Sequence, residues 1–192
     1  MNKKVLVLGS TGAMGQYLVP YLADMGYFVT AVSLDDEIPY NSNVTCIKGN
    51  AKDFDFLKGL LAQKFDAIVD FMIYYSRDFV NYYKLFLENT AHYIFLSSCR
   101  VFADEEVPVK ETSPRLLDVS NDEKLLASND YCIHKAKAEN LLLLSEYKNW
   151  TIVRPATTFS KMRYQLVTLE ATNTVGRTQR GKKVVLPIEA KD

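Results

Sequence analysis

The sequence has few cysteines and no long apolar run. Cys46, Cys99 and Cys132 are scattered, odd in number, and show no CxxC or Cys/His spacing. We therefore predict neither a metal site nor a disulfide framework, and a reducing, cytoplasmic setting. No apolar segment approaches the length of a membrane span, and the first residues lack the apolar core and cleavage site of a signal peptide. The sequence thus predicts no membrane partner.

An excess of either charge is also missing. Lys and Arg total 23, Asp and Glu total 23, and the formal net charge is zero. This balance argues against nucleic acid as a partner, because nucleic-acid binders usually carry a basic excess. It leaves little charge repulsion to oppose self-association. With 192 residues, 48% of them apolar, the chain is long enough for one well-packed α/β domain.

Apolar segments with the character of strands alternate six times with helical segments. This alternation predicts an α/β protein of the Rossmann type, a doubly wound parallel sheet with helices on both faces. The predicted strands are Lys4–Leu8, Tyr27–Leu34, Val44–Lys48, Ala67–Met72, Tyr93–Ser97 and Trp150–Val153. The predicted helices are Ala13–Met25, which contains Pro20, Phe54–Lys64, Arg77–Thr90 and Tyr131–Tyr147.

The alternation weakens towards the C-terminus. We interpret residues 1–160 as a nucleotide-binding Rossmann domain and residues 161–192 as the start of an incomplete substrate-binding region. In that region we predict one helix, Met162–Ala171, and one strand, Lys183–Leu186. A long polar stretch, Asp104 to Asp130, precedes the last predicted helix of the first domain.

A glycine-rich turn follows the first predicted strand directly. Gly9, Gly12 and Gly15 have the spacing GxxGxxG. Glycines allow a tight turn and a close approach of the backbone to a pyrophosphate, and the following helix presents N–H groups to it. A turn that binds nothing is the alternative interpretation. The predicted phosphate-binding residues are Gly9, Thr11, Gly12, Ala13, Met14 and Gly15.

An acidic residue about 20 positions after such a turn usually binds the adenosine ribose. Asp35 lies at that distance from Gly15, and Ser33 ends the second predicted strand. The sequence offers no nearby cation for a 2′-phosphate, which favours NAD over NADP, although NADP stays open. A solvated loop at Asp35-Asp36-Glu37 is the alternative.

A YxxxK pattern opens the helix predicted from residue 131. Residues i and i+4 share a helix face, so the Tyr131 hydroxyl and the Lys135 ammonium can converge. The ammonium would stabilise the phenolate and lower the pKa of the tyrosine towards neutrality. Ser97 and Ser98 end the fifth predicted strand, where ligands bind in doubly wound sheets. A serine that only caps the strand end is the alternative.

Together these motifs resemble the extended short-chain dehydrogenase/reductase superfamily, in its NAD-dependent epimerase/dehydratase branch, over residues 3–160. The resemblance rests on GxxGxxG, Gly49-Asn50-Ala51-Lys52-Asp53, Phe71-Met72, Ser97 to Phe102, YxxxK and Val153-Arg154-Pro155. It implies that Tyr131 is the general acid/base, that Lys135 supports it and binds the nicotinamide ribose, and that Ser98 is the catalytic hydroxyl. The resemblance further implies cofactor contacts from Asn50, Ala51, Phe71, Met72, Ser97, Tyr131, Lys135 and Pro155.

Differences from the family's sequence pattern narrow the range of reactions and substrates that we expect. Dehydratases of this branch carry an Asp-Glu pair after the catalytic hydroxyl, whereas Cys99-Arg100 stand there, which disfavours water elimination. Thr157 replaces a substrate-touching Asn of UDP-galactose epimerases. We therefore expect an NAD-dependent nucleotide-sugar epimerase or ketoreductase. A dinucleotide-sensing or scaffold protein without turnover is the alternative.

The remaining features point to packing and assembly. We interpret Cys99 and Cys132 as packing residues and His134 as a helix-surface residue, with a proton relay as the alternative. The apolar run Leu141–Leu144 must be buried on more than one face. The resemblance implies a homodimer through a helical bundle with the Arg77–Thr90 helix, against burial within one chain. It also implies a longer C-terminal region, so we expect the chain to end within it.

Overall fold

The computed structural model describes residues 3–128, 130–161, 165–166, 169–171 and 173–185. The chain divides into two units, Met1–Ala156 and Thr157–Asp192. The first unit contains a six-stranded, all-parallel sheet in the order β3-β2-β1-β4-β5-β6. Its strands are β1 (Lys4–Leu8), β2 (Phe28–Ser33), β3 (Val44–Lys48), β4 (Phe65–Asp70), β5 (Thr90–Leu96) and β6 (Trp150–Val153).

Both faces of this sheet are covered, because successive residues of each strand point to opposite sides. Leu6 and Leu8 of β1 join a core with helices α2 (Phe54–Leu61), α3 (Ser76–Glu88) and α6 (Tyr131–Leu143). On the opposite face, Val5 and Val7 pack with helix α1 (Gly15–Asp24). The predicted doubly wound Rossmann fold is therefore confirmed.

The strand order places a crevice beside β1. From β1 the chain proceeds to β2 on one side, and later enters β4 on the other side. Ligands of doubly wound sheets bind at the carboxyl ends of the strands next to such a reversal. The loops that follow β1, β4 and β5 therefore carry the candidate site.

Several element boundaries differ from the predicted ones. Helix α1 begins at Gly15 and not at Ala13, because residues 9–14 form the turn itself. Strand β4 ends at Asp70, so Phe71 and Met72 lie in the following loop. The polar stretch before α6 contains two short helices, α4 (Leu116–Val119) and α5 (Glu123–Ala127).

The second unit contradicts the secondary structure predicted for it. Instead of a helix over Met162–Ala171, strands β7 (Gln165–Leu166) and β8 (Leu169–Glu170) form an antiparallel pair. A short apolar run does not distinguish a helix from a strand by its periodicity. Helix α7 (Val175–Gln179) was not predicted. Residues 183–185 of the predicted last strand do not form a strand, and Leu186 lies outside the described residues.

Candidate functional site

The three glycines of the turn are constrained to different degrees, Gly9 by its backbone conformation and Gly12 and Gly15 by the carbonyl groups around them. Gly9 has φ +82°, and a methyl group on it would lie 3.4 Å from Phe71 Cβ. A methyl group on Gly12 would lie 3.2 Å from the Gly9 carbonyl oxygen. At Gly15 it would clash with the carbonyl oxygens of Ser10 and Gly9, the latter at 2.5 Å. The turn leads directly into the N-terminus of α1, whose unpaired N–H groups suit a pyrophosphate.

A carboxylate reaches this turn from the loop after β2. Ser10 is fully buried, and its hydroxyl donates to Glu37 Oε2 at 2.5 Å. The Ser33 hydroxyl accepts from the Asp35 backbone N–H at 3.0 Å, and the Asp35 side chain is exposed. The predicted Ser33 and Asp35 therefore flank the turn, but Glu37 contacts it, which the sequence interpretation did not single out.

The predicted adenine side combines one core residue with exposed ones. Ala51 is buried in the core, whereas Asn50 is exposed and its amide oxygen accepts from the Lys52 backbone N–H. Lys48 forms a 2.7 Å salt bridge with Asp36, both being exposed. The sequence analysis found no cation near this loop, but Lys48 lies there, because β3 pairs with β2 in the sheet. Lys48 is distant from the loop along the chain and was therefore not recognised.

A buried carboxylate shapes the loop after β4. Asp70 is fully buried, and its carboxylate accepts from the Tyr93 hydroxyl at 2.6 Å and the Met72 backbone N–H at 2.9 Å. Burial raises the pKa of Asp70, against the opposing effect of these hydrogen bonds and of Lys135. The loop is thereby fixed with Met72 Sδ 3.5 Å from the position of a methyl group on Gly9.

Lys135 joins the ends of two strands. Its ammonium donates to the carbonyl oxygens of Leu96, at 2.6 Å, and Met72, at 3.2 Å. It lies 4.7 Å from the Phe95 ring centroid and 5.8 Å from that of Tyr131. Burial lowers the pKa of Lys135 to about 8, although the charges of Asp70 and Glu139 oppose this effect.

Tyr131 lies between this lysine and the turn that follows Ser98. The Ser98 hydroxyl accepts from the Arg100 backbone N–H at 3.2 Å and so caps the 3-10 turn Cys99–Val101. The Arg100 guanidinium lies 5.9 Å from the Tyr131 ring centroid. Helix α6 packs against this turn, which brings the YxxxK pair to the end of β5.

Ser97 has a structural partner. Its hydroxyl donates to Glu139 at 2.5 Å, and Glu139 is fully buried. The same carboxylate accepts from Arg154 at 2.9 and 3.0 Å and from Arg115 at 3.0 Å. Burial alone would raise the pKa of Glu139, but the hydrogen bonds from Arg154, Ser97 and Arg115 outweigh it and lower the pKa. This cluster fastens α6 to the ends of β5 and β6.

His134 is buried, contrary to the interpretation as a helix-surface residue. Its Nδ1 accepts from the backbone N–H of Ser76 at 3.2 Å and lies 3.1 Å from the Ser76 hydroxyl, at the start of α3. Burial, with Lys137 and Arg77 nearby, lowers the pKa of His134. The reason for the difference is that α3 lies against α6, which the sequence pattern of α6 alone does not reveal.

The cysteines beside the site show no sign of activation. Burial raises the pKa of Cys132 to about 11, helped by a hydrogen bond with Asp130. Cys99 is partly buried, and its backbone N–H donates to the Pro155 carbonyl oxygen at 3.0 Å. A thiol with a raised pKa is a poor nucleophile at neutral pH. The contact also places Pro155 beside the turn that follows Ser98.

A chain of contacts therefore connects the glycine turn with the YxxxK pair. The Phe71 backbone N–H donates to the carbonyl oxygen of Leu8, the residue before the turn, at 3.1 Å. The next residue, Met72, accepts from the Lys135 ammonium, which lies 5.8 Å from the Tyr131 ring centroid. Fold and turn are of the type found in Rossmann dinucleotide-binding proteins. Residues 5–90 match the model of the "NAD dependent epimerase/dehydratase family". Over these residues the match supports the resemblance to this family, and the family's NAD dependence agrees with the predicted cofactor.

The chain is similar to a curated plant protein and to solved bacterial enzymes. It is 27% identical over 182 residues to the chloroplast stem-loop binding protein of 41 kDa b of Arabidopsis thaliana, covering 86% of this chain and 45% of that protein. The Bordetella bronchiseptica enzyme WbmH, solved with NAD+, has TM-score 0.69, 18% identity, and coverage of 95% and 64%. A UDP-glucuronic acid 4-epimerase of Bacillus cereus, solved with NAD, has TM-score 0.66, 19% identity, and coverage of 95% and 65%.

These matches establish the fold and the length relationship. The chain spans about half the length of the curated relative and less than two thirds of either structure. Within the described residues, no helix is long and apolar enough to cross a membrane. The same residues contain no group of three His, Cys, Asp or Glu side chains that would hold a metal ion.

Proposed function

We propose that the chain is the cofactor-binding part of an NAD-dependent nucleotide-sugar epimerase or ketoreductase. The observation that carries the proposal is the position of Lys135. Its ammonium bonds the Met72 carbonyl next to the glycine turn and lies 5.8 Å from the Tyr131 ring. This position supports the proposal that the glycine turn and the YxxxK pair serve one ligand.

The chain's own groups would bind and move the proton. Tyr131, as phenolate, takes the proton of a sugar hydroxyl, and the Lys135 ammonium stabilises the phenolate electrostatically. Ser98 donates a hydrogen bond to the same sugar oxygen as it becomes a carbonyl. NAD, when bound, supplies the acceptor for the hydride that leaves the carbinol carbon. In an epimerase the ketone would turn over and take the hydride back on its other face, with the proton returned from Tyr131. In a ketoreductase the step would run in the opposite direction: the ketone carbon would take the hydride from reduced NAD, and the Tyr131 hydroxyl would give its proton to the oxygen.

Cofactor binding would use the remaining predicted residues. The turn of Gly9, Gly12 and Gly15 would bind the pyrophosphate through its backbone N–H groups. Gly15 supports this tight turn, because a side chain there would clash with the carbonyl oxygens of Ser10 and Gly9. Asp35 or Glu37 would bind the adenosine ribose, and Phe71 and Met72 would line the nicotinamide side. The Bacillus cereus UDP-glucuronic acid 4-epimerase was solved, as a mutant, with NAD and UDP-4-deoxy-4-fluoro-glucuronic acid, which supports a nucleotide sugar as substrate.

The proposal is tested by cofactor binding and turnover. Thermal unfolding is measured with NAD, with NADP and without cofactor, and we expect NAD to stabilise the protein by about 2.7 kcal/mol at a hundredfold excess over Kd. UDP-sugars are then added to the complete NAD-loaded protein, and the absorbance of reduced nicotinamide and the sugar products are followed. Binding of NAD without a response to any sugar would favour the non-catalytic sensor.

The plant relative suggests a second candidate, since it is named for binding stem-loops. Against it stands the zero net charge of this chain, which supplies no basic excess. A labelled stem-loop titrated at low salt distinguishes the two, and we expect no saturable binding.

We also propose that the protein forms a homodimer through α3 and α6. A cytoplasmic location is part of the same proposal. Within one chain α3 and α6 already pack together. Val80 of α3 and the consecutive Leu143 and Leu144 at the end of α6 remain exposed. A mass measurement in solution tests the dimer.

A further inference from the structure

Arg100 occupies a fixed position beside the proposed acid/base. Its backbone N–H donates to the Ser98 hydroxyl, and the next residue, Val101, is fully buried. The Phe102 backbone N–H donates to the Cys99 carbonyl oxygen at 3.1 Å and closes the turn. This anchored turn holds the Arg100 guanidinium 5.9 Å from the Tyr131 ring centroid. The backbone of Arg100 is therefore anchored beside Tyr131, and its side chain extends from this anchored turn.

The charge of Arg100 is only weakly engaged by the protein. In the part of the chain that the structure describes, Asp130 is the one carboxylate at salt-bridge distance, with 4.0 Å between Nη2 and Oδ1. That oxygen already accepts from the Cys132 backbone N–H at 2.8 Å, as the cap of α6. The Arg100 side chain is 63% exposed. An exposed pair of this length adds little to stability.

The contrast with the other arginines near β5 and β6 is direct. The side chains of Arg115 and Arg154 are 11% and 17% exposed, and both bond the buried Glu139. They complete a structural cluster, whereas the Arg100 side chain is largely exposed and its guanidinium lies beside the Tyr131 ring. A guanidinium in that place is suited to a ligand, because its planar fork matches a carboxylate.

We propose that Arg100 binds a carboxylate of the substrate, which makes the preferred substrate a nucleotide-linked uronic acid and not a neutral hexose. The inference rests on the proposed function, because it places the reacting carbinol at Tyr131 and Ser98. The diphosphate of a nucleotide sugar is attached to the anomeric carbon, at the nucleotide end. A carboxylate on the sugar ring is the anion that reaches a guanidinium beside the acid/base.

The experiment compares UDP-glucuronate with UDP-glucose in the complete, NAD-loaded protein. For the wild type we expect a higher kcat/KM with the uronate. In Arg100→Gln the ratio of kcat/KM for uronate over hexose should fall about 10- to 100-fold, the range for a lost hydrogen-bonded charge. Arg100→Lys, which keeps the charge and loses the fork, should give a smaller fall in this ratio.

Arg77→Gln is the matched control. Arg77 is exposed, lies 5.4 Å from the Tyr75 ring centroid, and has a long salt bridge of 3.7 Å to Asp78. Its substitution should leave the substrate ratio as in the wild type. Equal losses with both sugars in Arg100→Gln would overturn the inference and leave the proposed function standing. If NAD binds but neither sugar reacts, the proposed function is overturned, and the inference with it.

Discussion

The two ends of the candidate site differ in what they offer a ligand, backbone at the glycine turn and side chains at the YxxxK pair. The glycine turn presents backbone, and its shape depends on the absence of side chains at Gly9, Gly12 and Gly15. The other end presents the side chains of Tyr131, Lys135 and Arg100, held by helix α6 and the turn after β5. A backbone site depends on space and is insensitive to pH, whereas a side-chain site depends on charge. Substitutions and changes of pH should therefore affect the two ends differently.

The largest effect is expected at the side-chain end. Lys135→Met keeps the apolar stem and removes the ammonium, so kcat should fall about 1,000-fold, the upper range for loss of one preorganised electrostatic group. Lys137→Met is the matched control, because Lys137 lies on the same helix and, among the residues that the structure describes, its ammonium donates to the Leu126 carbonyl oxygen. Steady-state kinetics of both variants decide the matter. Similar losses in the two would assign Lys135 a structural role.

At the backbone end, Gly15→Ala should weaken NAD binding about 10- to 100-fold, if an overpacking cost of about 1–3 kcal/mol falls on the bound turn. A methyl group there would clash with the carbonyl oxygen of Ser10 and lie 2.5 Å from that of Gly9. Titration calorimetry with NAD measures the change.

The matched control for this variant is Gly59→Ala in helix α2, where a methyl group meets nothing within 4 Å. It should leave NAD binding unchanged and stabilise the protein by about 0.5–1 kcal/mol. If Gly15→Ala binds NAD as the wild type does, the turn is not built on the exclusion of side chains.

The pH dependence separates the two ends further. The pKa of Lys135 is lowered to about 8, so its ammonium is present below this pH and is lost above it. The phenolate of Tyr131 then loses its support, and kcat should fall about tenfold per pH unit above pH 8 for a single required proton. NAD binding by the glycine turn should change less over the same range. If the residual kcat of Lys135→Met still falls above pH 8, the titration belongs to another group.

The smallest effect concerns the helix contact behind the site. His134→Gln removes the ring nitrogen that accepts from the Ser76 backbone N–H, and should cost about 1 kcal/mol, as for loss of a helix cap. Since the pKa of buried His134 is lowered from its ordinary 6.5, the neutral form is favoured in the folded state. The wild type should therefore lose stability as the pH falls below 6.5, towards the folded pKa.

Urea unfolding at several pH values measures this slope. His92→Gln is the control, because His92 is exposed and bonds only Thr151 and its own strand. The slope between neutral pH and the lowered pKa should flatten in His134→Gln and persist in His92→Gln. An unchanged slope in both variants would show that His134 does not supply it.

The glycine turn and the strand alternation were predictable because they are local. Gly9, Gly12 and Gly15 lie within seven residues, and buried parallel strands are continuous apolar runs. The helix predicted over Met162–Ala171 was wrong for the opposite reason, since pairing of Gln165 with Glu170 is decided by hydrogen bonds between segments. The secondary structure of the first unit could thus be predicted from local sequence patterns, whereas that of the second unit could not.

In the site, the glycine turn and the i, i+4 geometry of Tyr131 and Lys135 could be predicted from the sequence. Both follow from backbone sterics and helix periodicity within a few residues. The contact of Glu37 with Ser10, the burial of Asp70 and the lowered pKa of Lys135 arise from the packing of distant segments. These depend on desolvation and charge from residues far apart in the chain, and no local pattern records them.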